Sequence, residues 1–427
     1  KEREFVVPYI KDESIFETGN EVGLFHDRFI FEAQEGDCKT LDSVINEVLI
    51  SLSGDIKIDL EFLKSYLQIN IVEKELKEGV NPILEMTPYL DTGELFYGIG
   101  QYHNNPLTKV LQGGNVFLAK DAFGEKKSFP SLPEIALYDL LKTSPEIKSL
   151  VNYDDESIYD NRDYTFKNYH KYYAIVHADG DSMGKVIEDL KSKDDFQNFS
   201  KKLFEYCVAS HRLIKAFGGE TIFAGGDDLL FFAPVVSGNK TIFTLCDEIS
   251  TDFDKKFGGT GATLSFGVSI QYYKFPLYEA LEKSRRLLFD NEEGAKSGDK
   301  NNIAFSVTKH SGQTFEAIMH KSGELYENFK LFSSNIEGGE GMDNFLHSIH
   351  HKIDSNKNIL AQIAHDKKRV QNFFDNYFNK EVHDEQYREF FVQLVDFICE
   401  SYKISNSDPL KSVYATLRFI KFVQGDK

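Results

Sequence analysis

Residues 221–232, TIFAGGDDLLFF, place two glycines and two aspartates between two short apolar runs. Short runs of this kind, rich in Phe, Ile and Leu and interrupted by Gly and Asp, predict two buried strands joined by a hairpin turn. Adjacent carboxylates at the tip of a hairpin repel each other. The pattern therefore raises the question of which partner holds Asp227 and Asp228 in this position.

A second acidic segment lies upstream. Residues 172–178, YYAIVHA, are a continuous apolar run typical of a strand buried on both faces, and Asp179 and Asp181 follow it directly. From this strand onward the pattern predicts the order β-α-β-β-α-β-α-β, whose first part is the split βαβ, ferredoxin-like arrangement. In that arrangement the first strand lies beside the hairpin, so we expect the two acidic segments to converge at one edge of the sheet.

Converging carboxylates need cations, because like charges a few ångströms apart do not all ionise cheaply. Mg²⁺ takes carboxylate oxygens together with substrate phosphates, and two such ions activate a hydroxyl and stabilise a leaving pyrophosphate. The candidate ligands are Asp179, Asp181, Asp227 and Asp228. An ordinary hairpin with GGDD as a solvated turn is the alternative interpretation, which the upstream ADGDSMGK segment makes less favourable.

Several neighbouring residues are candidates for nucleotide binding. Gly225 and Gly226 permit a tight turn with positive φ and leave room for a triphosphate. Ser182 is expected to cap the following helix, and amides at a helix start, beside Gly180, meet phosphate oxygens. Basic candidates for phosphate contact are Lys185, Arg285, Arg286, Lys296 and Lys300. For each of these, an exposed charge at the protein surface is an equally good interpretation.

Composition limits the function classes. The chain has 427 residues, 41% hydrophobic and 27% charged, which predicts several globular domains. No apolar stretch approaches the ~20 residues of a membrane span. The net charge of −19 argues against broad nonspecific nucleic-acid binding, although a local basic groove is compatible with it. Because the first residue is Lys1 rather than Met, we expect the chain to start inside a longer protein.

The four cysteines are isolated in the sequence, at Cys38, Cys207, Cys246 and Cys399. Since none belongs to a CxxC pair, their spacing argues against a zinc site. Free thiols suit a reducing cytosol, so the sequence predicts a cytoplasmic protein.

The segments YYAIVHADGDSMGK, FAGGDDLLFFAP, LSFGVSI, PLYEALEKSRRLL and AKSGDKNNIAFSVTKHSG, in this order between residues 172 and 312, resemble the polymerase/cyclase large subunit of type III CRISPR effector complexes, in its Cmr-module (III-B) branch. The resemblance implies an α+β fold with a ferredoxin-like palm of the nucleotide cyclase/polymerase type, a helical insert and a helical C-terminal domain. The implied domains are a remnant of a degenerate first palm (1–37), a mainly helical insert and linker (38–168), the catalytic GGDD palm (169–312) and the helical C-terminal domain (313–427).

The resemblance also implies an activity. On target-RNA binding, the palm of this family condenses ATP through 3′–5′ linkages into adenylate second messengers, commonly cyclic oligoadenylates, and releases pyrophosphate; some branches join AMP to another acceptor such as S-adenosylmethionine. Implied partners are other Cmr-module subunits, a guide RNA and a target RNA, without a membrane. Asp179 and Asp228 would be the principal ligands of two Mg²⁺ or Mn²⁺ ions, with Asp181 and Asp227 beside them, and Gly225 and Gly226 would shape the nucleotide site.

The chain departs from the family in two respects. Many relatives carry an N-terminal HD nuclease, whereas the His26–Asp27 dipeptide here lies on an apolar, strand-like stretch without partner histidines nearby. We interpret it as structural, so these residues do not predict DNA cleavage. The cysteine cluster present in the insert of some relatives is also missing from this sequence.

Three other functions are compatible with parts of the pattern. A GTP-using palm cyclase usually reads GGDEF or GGEEF at its turn, whereas Leu229 follows Asp228 here. A catalytically silent scaffold subunit would keep the fold, although degeneration normally removes the carboxylates first. Template-directed polymerisation needs a basic cleft for a duplex, which an acidic chain does not favour.

Overall fold

The computed structural model describes residues 5–8, 28–56, 58–95, 129–334, 342–377, 388–404 and 409–425. The chain divides into two compact units, one formed by Lys1–Pro130 with Ser182–Val208 and the other by Ser131–Asp181 with Ala209–Lys427. Within the described ranges, none of the helices is long and apolar enough to cross a membrane.

The strands are β1 (Phe5–Val7), β2 (Ile30–Phe31), β3 (Tyr172–Asp181), β4 (Glu220–Gly225), β5 (Asp228–Pro234), β6 (Val236–Ser237), β7 (Lys240–Thr241), β8 (Thr263–Tyr272), β9 (Asn302–Thr308) and β10 (Thr314–His320). The helices are α1 (Asp37–Ile56), α2 (Leu60–Tyr66), α3 (Pro82–Glu94), α4 (Leu132–Ala136), α5 (Tyr138–Thr143), α6 (Met183–Asp189), α7 (Lys193–Phe217), α8 (Ile242–Phe257), α9 (Leu277–Phe289), α10 (Glu324–Ser334), α11 (Met342–Ser355), α12 (Lys357–Ile363), α13 (Lys367–Tyr377), α14 (Arg388–Ile404) and α15 (Lys411–Gln424).

The second unit contains a six-stranded sheet in the order β10-β9-β8-β3-β5-β4. Strand β3 lies between β8 and β5 and is antiparallel to both, and β4 is antiparallel to β5. The four strands β8-β3-β5-β4 thus have the order and directions of the ferredoxin-like arrangement. Strand β9 extends this sheet and is parallel to β8. Helix α9 lies between the two strands in sequence and forms the crossover that a parallel pair requires. The predicted α+β palm fold is confirmed.

The centre of the sheet is buried because its strands carry apolar side chains on both faces. In β3, Tyr173 to Val176 are completely buried. Strand β8 lacks a side chain at Gly267, where a Cβ atom would collide with the backbone carbonyl of Ser284. This glycine lets α9 lie directly against the sheet, with Ala280 and Leu288 fully buried.

The region after residue 312 differs in part from the prediction. We expected helices from residue 313 onward, whereas Thr314–His320 form β10, which pairs with β9 along its whole length. Its buried side chains, Phe315, Ala317 and Met319, alternate with more exposed ones, which is the period of a strand with one buried face. The helical pattern was overextended because Thr, Glu and His occupy the exposed positions of this strand. The domain boundaries stay predictions.

Beyond β10 the described chain is helical, as predicted for the C-terminal region. Aromatic side chains join these helices to the sheet: the ring of Phe243 in α8 lies 4.7 Å from that of Phe329 in α10 and 5.0 Å from that of Phe419 in α15. Such edge-to-face pairs contribute beyond their buried area. A single aromatic core therefore serves both the palm and the C-terminal helices.

The first unit is mainly helical in its described part, and the bounds predicted for the insert (38–168) stay a prediction. Asn81 begins α3 by accepting hydrogen bonds from the backbone N–H groups of Ile83 and Leu84, and its side chain also donates to the carbonyl of Ile187 in α6 at 2.7 Å. Strands β1 and β2 form an antiparallel pair near the N-terminus. His26 and Asp27 lie outside the described residues.

Candidate active site

The GGDD motif forms a two-residue hairpin turn. Gly225 at the end of β4 pairs with Asp228 at the start of β5, so Gly226 and Asp227 occupy the two central positions. Gly226 has a φ of 68°, and a positive φ at the first central position is the geometry that favours glycine in type II′ hairpins. Gly225 does not take a positive φ, in contrast to our expectation, because it is the last residue of the strand.

The two acidic segments meet at one end of the sheet. Strands β3 and β5 are paired up to Ala178 opposite Leu229, so the next residue on β3, Asp179, lies beside the first residue of β5, Asp228. The backbone N–H of Gly180 donates a hydrogen bond to the carboxylate of Asp227. The structure therefore places the Asp179–Asp181 segment beside the GGDD turn, as the ferredoxin-like topology predicts.

Asp181 is the most buried of the four aspartates, with 1% of its surface exposed. Its Oδ2 atom accepts hydrogen bonds from Thr263 Oγ1 at 2.8 Å, from Ser265 Oγ at 2.8 Å and from the Asn301 N–H at 3.0 Å. Its Oδ1 atom has no hydrogen-bond partner among the described residues. One oxygen is thus fixed by three donors, whereas the other is buried without a hydrogen bond and has the ammonium of Lys296 at 3.8 Å.

These three donors are functional residues that the sequence reasoning missed. Thr263 and Ser265 lie two positions apart on β8, so they project from the same face of the strand. Their alternation in the segment ATLSFGVSI is the signal that was available, because small polar residues are unusual at positions buried in a central strand. Asn301, which has a φ of 69°, gave no comparable signal.

Asp227 is half-buried, and its environment disfavours its charge. Burial raises the pKa of its carboxyl group to about 6, and repulsion by Asp228 and more weakly by Asp181 contributes to this rise, while the N–H groups of Asp227 and Gly180 oppose it. Asp181, Asp227 and Asp228 are therefore close enough to interact electrostatically. Within the described residues, the cationic group in contact with this cluster is the ammonium of Lys296.

Lys296 lies among the aspartates rather than at the protein surface. It forms an ion pair with Asp179 Oδ2, donates to the Gly180 carbonyl at 2.8 Å and lies 3.8 Å from Asp181 Oδ1. Burial, together with the nearby Lys300, lowers the pKa of Lys296 to about 8, so the amine is protonated at neutral pH. Phosphate binding by Lys296 stays a prediction.

The other basic candidates have different surroundings. Lys300 is exposed, in the same loop as Lys296. Arg286 is also exposed and lines a cavity of about 970 Å³ together with residues of β10 and α15, and none of the four aspartates lines that cavity. The structure therefore does not bring Arg286 into the acidic cluster. Arg285 is close enough to His177 to lower the pKa of its imidazole.

Two residues near the end of β3 were assigned roles from sequence. Ser182 precedes α6 with a left-handed backbone (φ 61°) and makes no side-chain capping hydrogen bond, so the capping prediction is wrong. His177 is half-buried, and its Nδ1 atom lies 2.8 Å from the hydroxyl of Ser284. Because that hydroxyl donates to the Leu281 carbonyl, Nδ1 carries the proton and donates to it. Burial lowers the pKa of His177, which supports the expected packing role beside the sheet.

Comparison with known proteins agrees with this geometry. Residues 172–304 match the family described as Cas10/Cmr2, second palm domain. This part of the chain is a Cas10/Cmr2 palm domain. The chain is also similar to the CRISPR system Cmr subunit Cmr2 of Pyrococcus furiosus, with 26% identity over an alignment of 246 positions that covers 50% of this chain and 28% of that protein. The chain thus corresponds to less than a third of the length of this relative.

Solved structures with some likeness to the palm-containing chain include two of the Csm1–Csm4 cassette. The one in complex with cA4 has a TM-score of 0.34 and 16% identity, and the one in complex with AMPPNP has a TM-score of 0.35 and 17% identity. Each comparison covers 59% of this chain and 36% of the other.

Proposed function

We propose that the palm domain is a metal-dependent nucleotidyltransferase that uses ATP. In this proposal the chain is part of the large subunit of an RNA-guided type III CRISPR complex, together with other Cmr-module subunits, guide RNA and target RNA. Target binding switches on condensation of ATP into an adenylate second messenger, either a cyclic oligoadenylate or AMP joined to an acceptor such as S-adenosylmethionine. The observation that carries the proposal is the convergence of Asp179, Asp181, Asp227 and Asp228 at one end of the sheet.

The acidic cluster fits a divalent cation. Asp181 Oδ1 is buried without a hydrogen-bond partner among the described residues, and the pKa of Asp227 is raised by burial and, in addition, by the charges of Asp228 and Asp181. Both features indicate negative charge that the protein itself leaves incompletely compensated. Within the described ranges, no three His, Cys, Asp or Glu side chains are grouped as a complete metal site. Mg²⁺ sites in nucleotide enzymes commonly use one or two carboxylates, with substrate phosphates completing the coordination.

The residues that would hold Mg²⁺ or Mn²⁺ are Asp179, Asp181 and Asp228. When bound, such ions lower the pKa of an acceptor hydroxyl and neutralise charge on the triphosphate. Thr263, Ser265 and the Asn301 N–H orient Asp181 by fixing its Oδ2 atom. This arrangement is pre-organised, because the donors belong to the sheet and to the loop that leads into β9.

The remaining groups bind and position nucleotides. The glycine turn presents backbone without side chains at Gly225 and Gly226, which allows phosphates to approach, and Gly180 and Ser182 follow at the end of β3. Lys296 and Lys300 supply positive charge for the triphosphate. His177 is a poor general base, since burial lowers its pKa and disfavours its protonation. Removal of the hydroxyl proton is therefore assigned to solvent or to a phosphate oxygen.

The test uses the assembled complex with target RNA, ATP and Mg²⁺, with and without S-adenosylmethionine, and identifies products by mass spectrometry. We expect an adenylate product with the wild-type chain and none with D228N, while D55N, an exposed substitution on α1, retains activity. Assembly of each variant complex is checked by size-exclusion chromatography. Equal product with D228N, or a correctly assembled wild-type complex without product, would contradict the proposal, and the second result would favour the scaffold alternative.

A further inference from the structure

The ammonium of Lys296 lies beside two of the four aspartates. It contacts an Asp179 carboxylate oxygen, the Gly180 carbonyl and, at 3.8 Å, the Oδ1 of Asp181, which accepts no hydrogen bond among the described residues. A carboxylate, a carbonyl and a second carboxylate are also the oxygen types that Mg²⁺ and Mn²⁺ prefer. The lysine side chain and a divalent cation would therefore compete for Asp179 and Asp181, and the two positive charges cannot share them.

The backbone of Lys296 is held by hydrogen bonds, whereas its side chain is a long stem with several rotatable bonds. Its N–H donates to the Leu288 carbonyl at 3.0 Å, and the preceding Ala295 is completely buried, with its carbonyl accepting from the Asn302 side chain at 2.9 Å. Beyond this anchor, the lysine stem has four rotatable bonds and ends 5.8 Å from the centre of the half-exposed Phe289 ring. A rotation of the side chain alone is enough to move the ammonium away from the aspartates.

We propose that Lys296 is the resident counter-cation of the metal site, which divalent ions must displace before the palm is competent. In the absence of metal, its ammonium neutralises Asp179 and Asp181 and stabilises the end of β3. When metal and nucleotide bind together, the ammonium leaves the carboxylates and pairs with the triphosphate. This inference rests on the metal site of the proposed function.

The displacement has a consequence for the order of binding. A divalent ion that binds alone must break the ion pair of Lys296 and leave a half-buried ammonium without its anionic partner, so its affinity is low. A nucleotide that arrives with the metal offers that ammonium a new anionic partner. Lys296 would thus couple metal binding to nucleotide binding and keep the site closed to metal alone, which is a form of positive linkage between two ligands.

The first test measures Mn²⁺ binding to the purified chain without nucleotide, by the electron paramagnetic resonance signal of free Mn²⁺. We expect K296M to bind Mn²⁺ about tenfold more tightly than the wild type, since one ion pair of this kind corresponds to about a factor of 10. K368M removes an exposed positive charge from α13, outside the proposed site, and is the matched control, with an expected change of less than about twofold. An affinity of K296M equal to or lower than that of the wild type would overturn the proposal.

A second measurement keeps the test valid if K296M is poorly folded. Without metal, K296M and K296Q should both unfold at a lower temperature than the wild type. Saturating Mn²⁺ should raise the unfolding temperature of each variant by more than it raises that of the wild type. Addition of AMPPNP as the nucleotide probe should raise Mn²⁺ affinity more in the wild type than in K296Q. The same increase in both proteins would show that the lysine does not couple the two ligands.

The variant D179N separates this inference from the proposed function. If D179N loses Mn²⁺ binding and K296M equals the wild type, the metal site stands and the role of Lys296 is wrong. If D179N binds Mn²⁺ as tightly as the wild type, the metal site itself is wrong, and the counter-cation role fails with it.

Discussion

Replacement of Asp227 by asparagine should make the protein more stable while removing a candidate catalytic group. The carboxyl pKa rises from 3.8 to about 6 in the folded state, chiefly through burial and the charge of Asp228. At about 1.4 kcal/mol for each pH unit, ionisation of Asp227 costs the folded state about 3 kcal/mol at neutral pH. Asparagine keeps an oxygen that accepts from the Gly180 N–H but carries no charge.

The pH dependence fixes the sign of this effect. Because the folded-state pKa is above the unfolded value, the carboxyl group favours folding below pH 3.8, and this contribution is lost as the pH rises through 6. The difference in the free energy of unfolding between D227N and the wild type should therefore be near zero at pH 4 and reach at most about 3 kcal/mol in favour of D227N at pH 7.

Urea denaturation of both proteins at several pH values between 4 and 8, without divalent ions, measures this difference. The exposed variant D55N is the matched control and should follow the wild type at every pH. A D227N protein that is less stable than the wild type at pH 7, or a difference that does not change with pH, would refute the view that the hairpin carboxylates are electrostatically strained.

Three further predictions concern the surroundings of the site. S265A removes one of the donors to Asp181 and should lower the free energy of unfolding by about 1–3 kcal/mol. It should also lower the Mn²⁺ affinity of the chain, and an unchanged Mn²⁺ affinity would contradict the orienting role. G267A places a Cβ atom against the backbone of α9 and should destabilise by about 1–3 kcal/mol, whereas G184A, with nothing within 4 Å, should not destabilise, as measured by urea denaturation. Burial lowers the pKa of His170 to about 4, so its contribution to stability should be lost as the pH falls from 6.5 to 4, by about 3 kcal/mol; a flat wild-type profile compared with H170Q would contradict this.

The topology around the site could be predicted because its signals are local and strong. The run before Asp179 is apolar except for His177, which favours a central strand, and GGDD between two apolar runs favours a hairpin. Strand order then follows from the small set of split βαβ arrangements. Strand β10 was missed because its exposed positions carry residues that are common in helices and loops, so that only its pairing with β9 reveals it.

The cradle of Asp181 could not be predicted, because it depends on register. Thr263 and Ser265 reach Asp181 since β8 is aligned with β3 so that Asp181 pairs with Thr263 and Asp179 with Ser265. A shift of one residue would turn both hydroxyls to the opposite face of the sheet. Sequence alone gives the polarity of these side chains but not the alignment of the strands that carry them.

Lys296 shows the same limit for electrostatics. Its sequence context predicts a cation near bound phosphates, and in the structure Lys296 does lie at the acidic cluster, paired with Asp179. A flexible ammonium group pairs with the strongest anionic group that it can contact. Without nucleotide, the anionic groups in contact with Lys296 are Asp179 and Asp181 rather than a triphosphate. The partner of such a lysine therefore depends on which ligands are present. For this reason, a lysine that a charge pattern identifies as phosphate-binding is also expected to compete with a metal ion when carboxylates lie next to it.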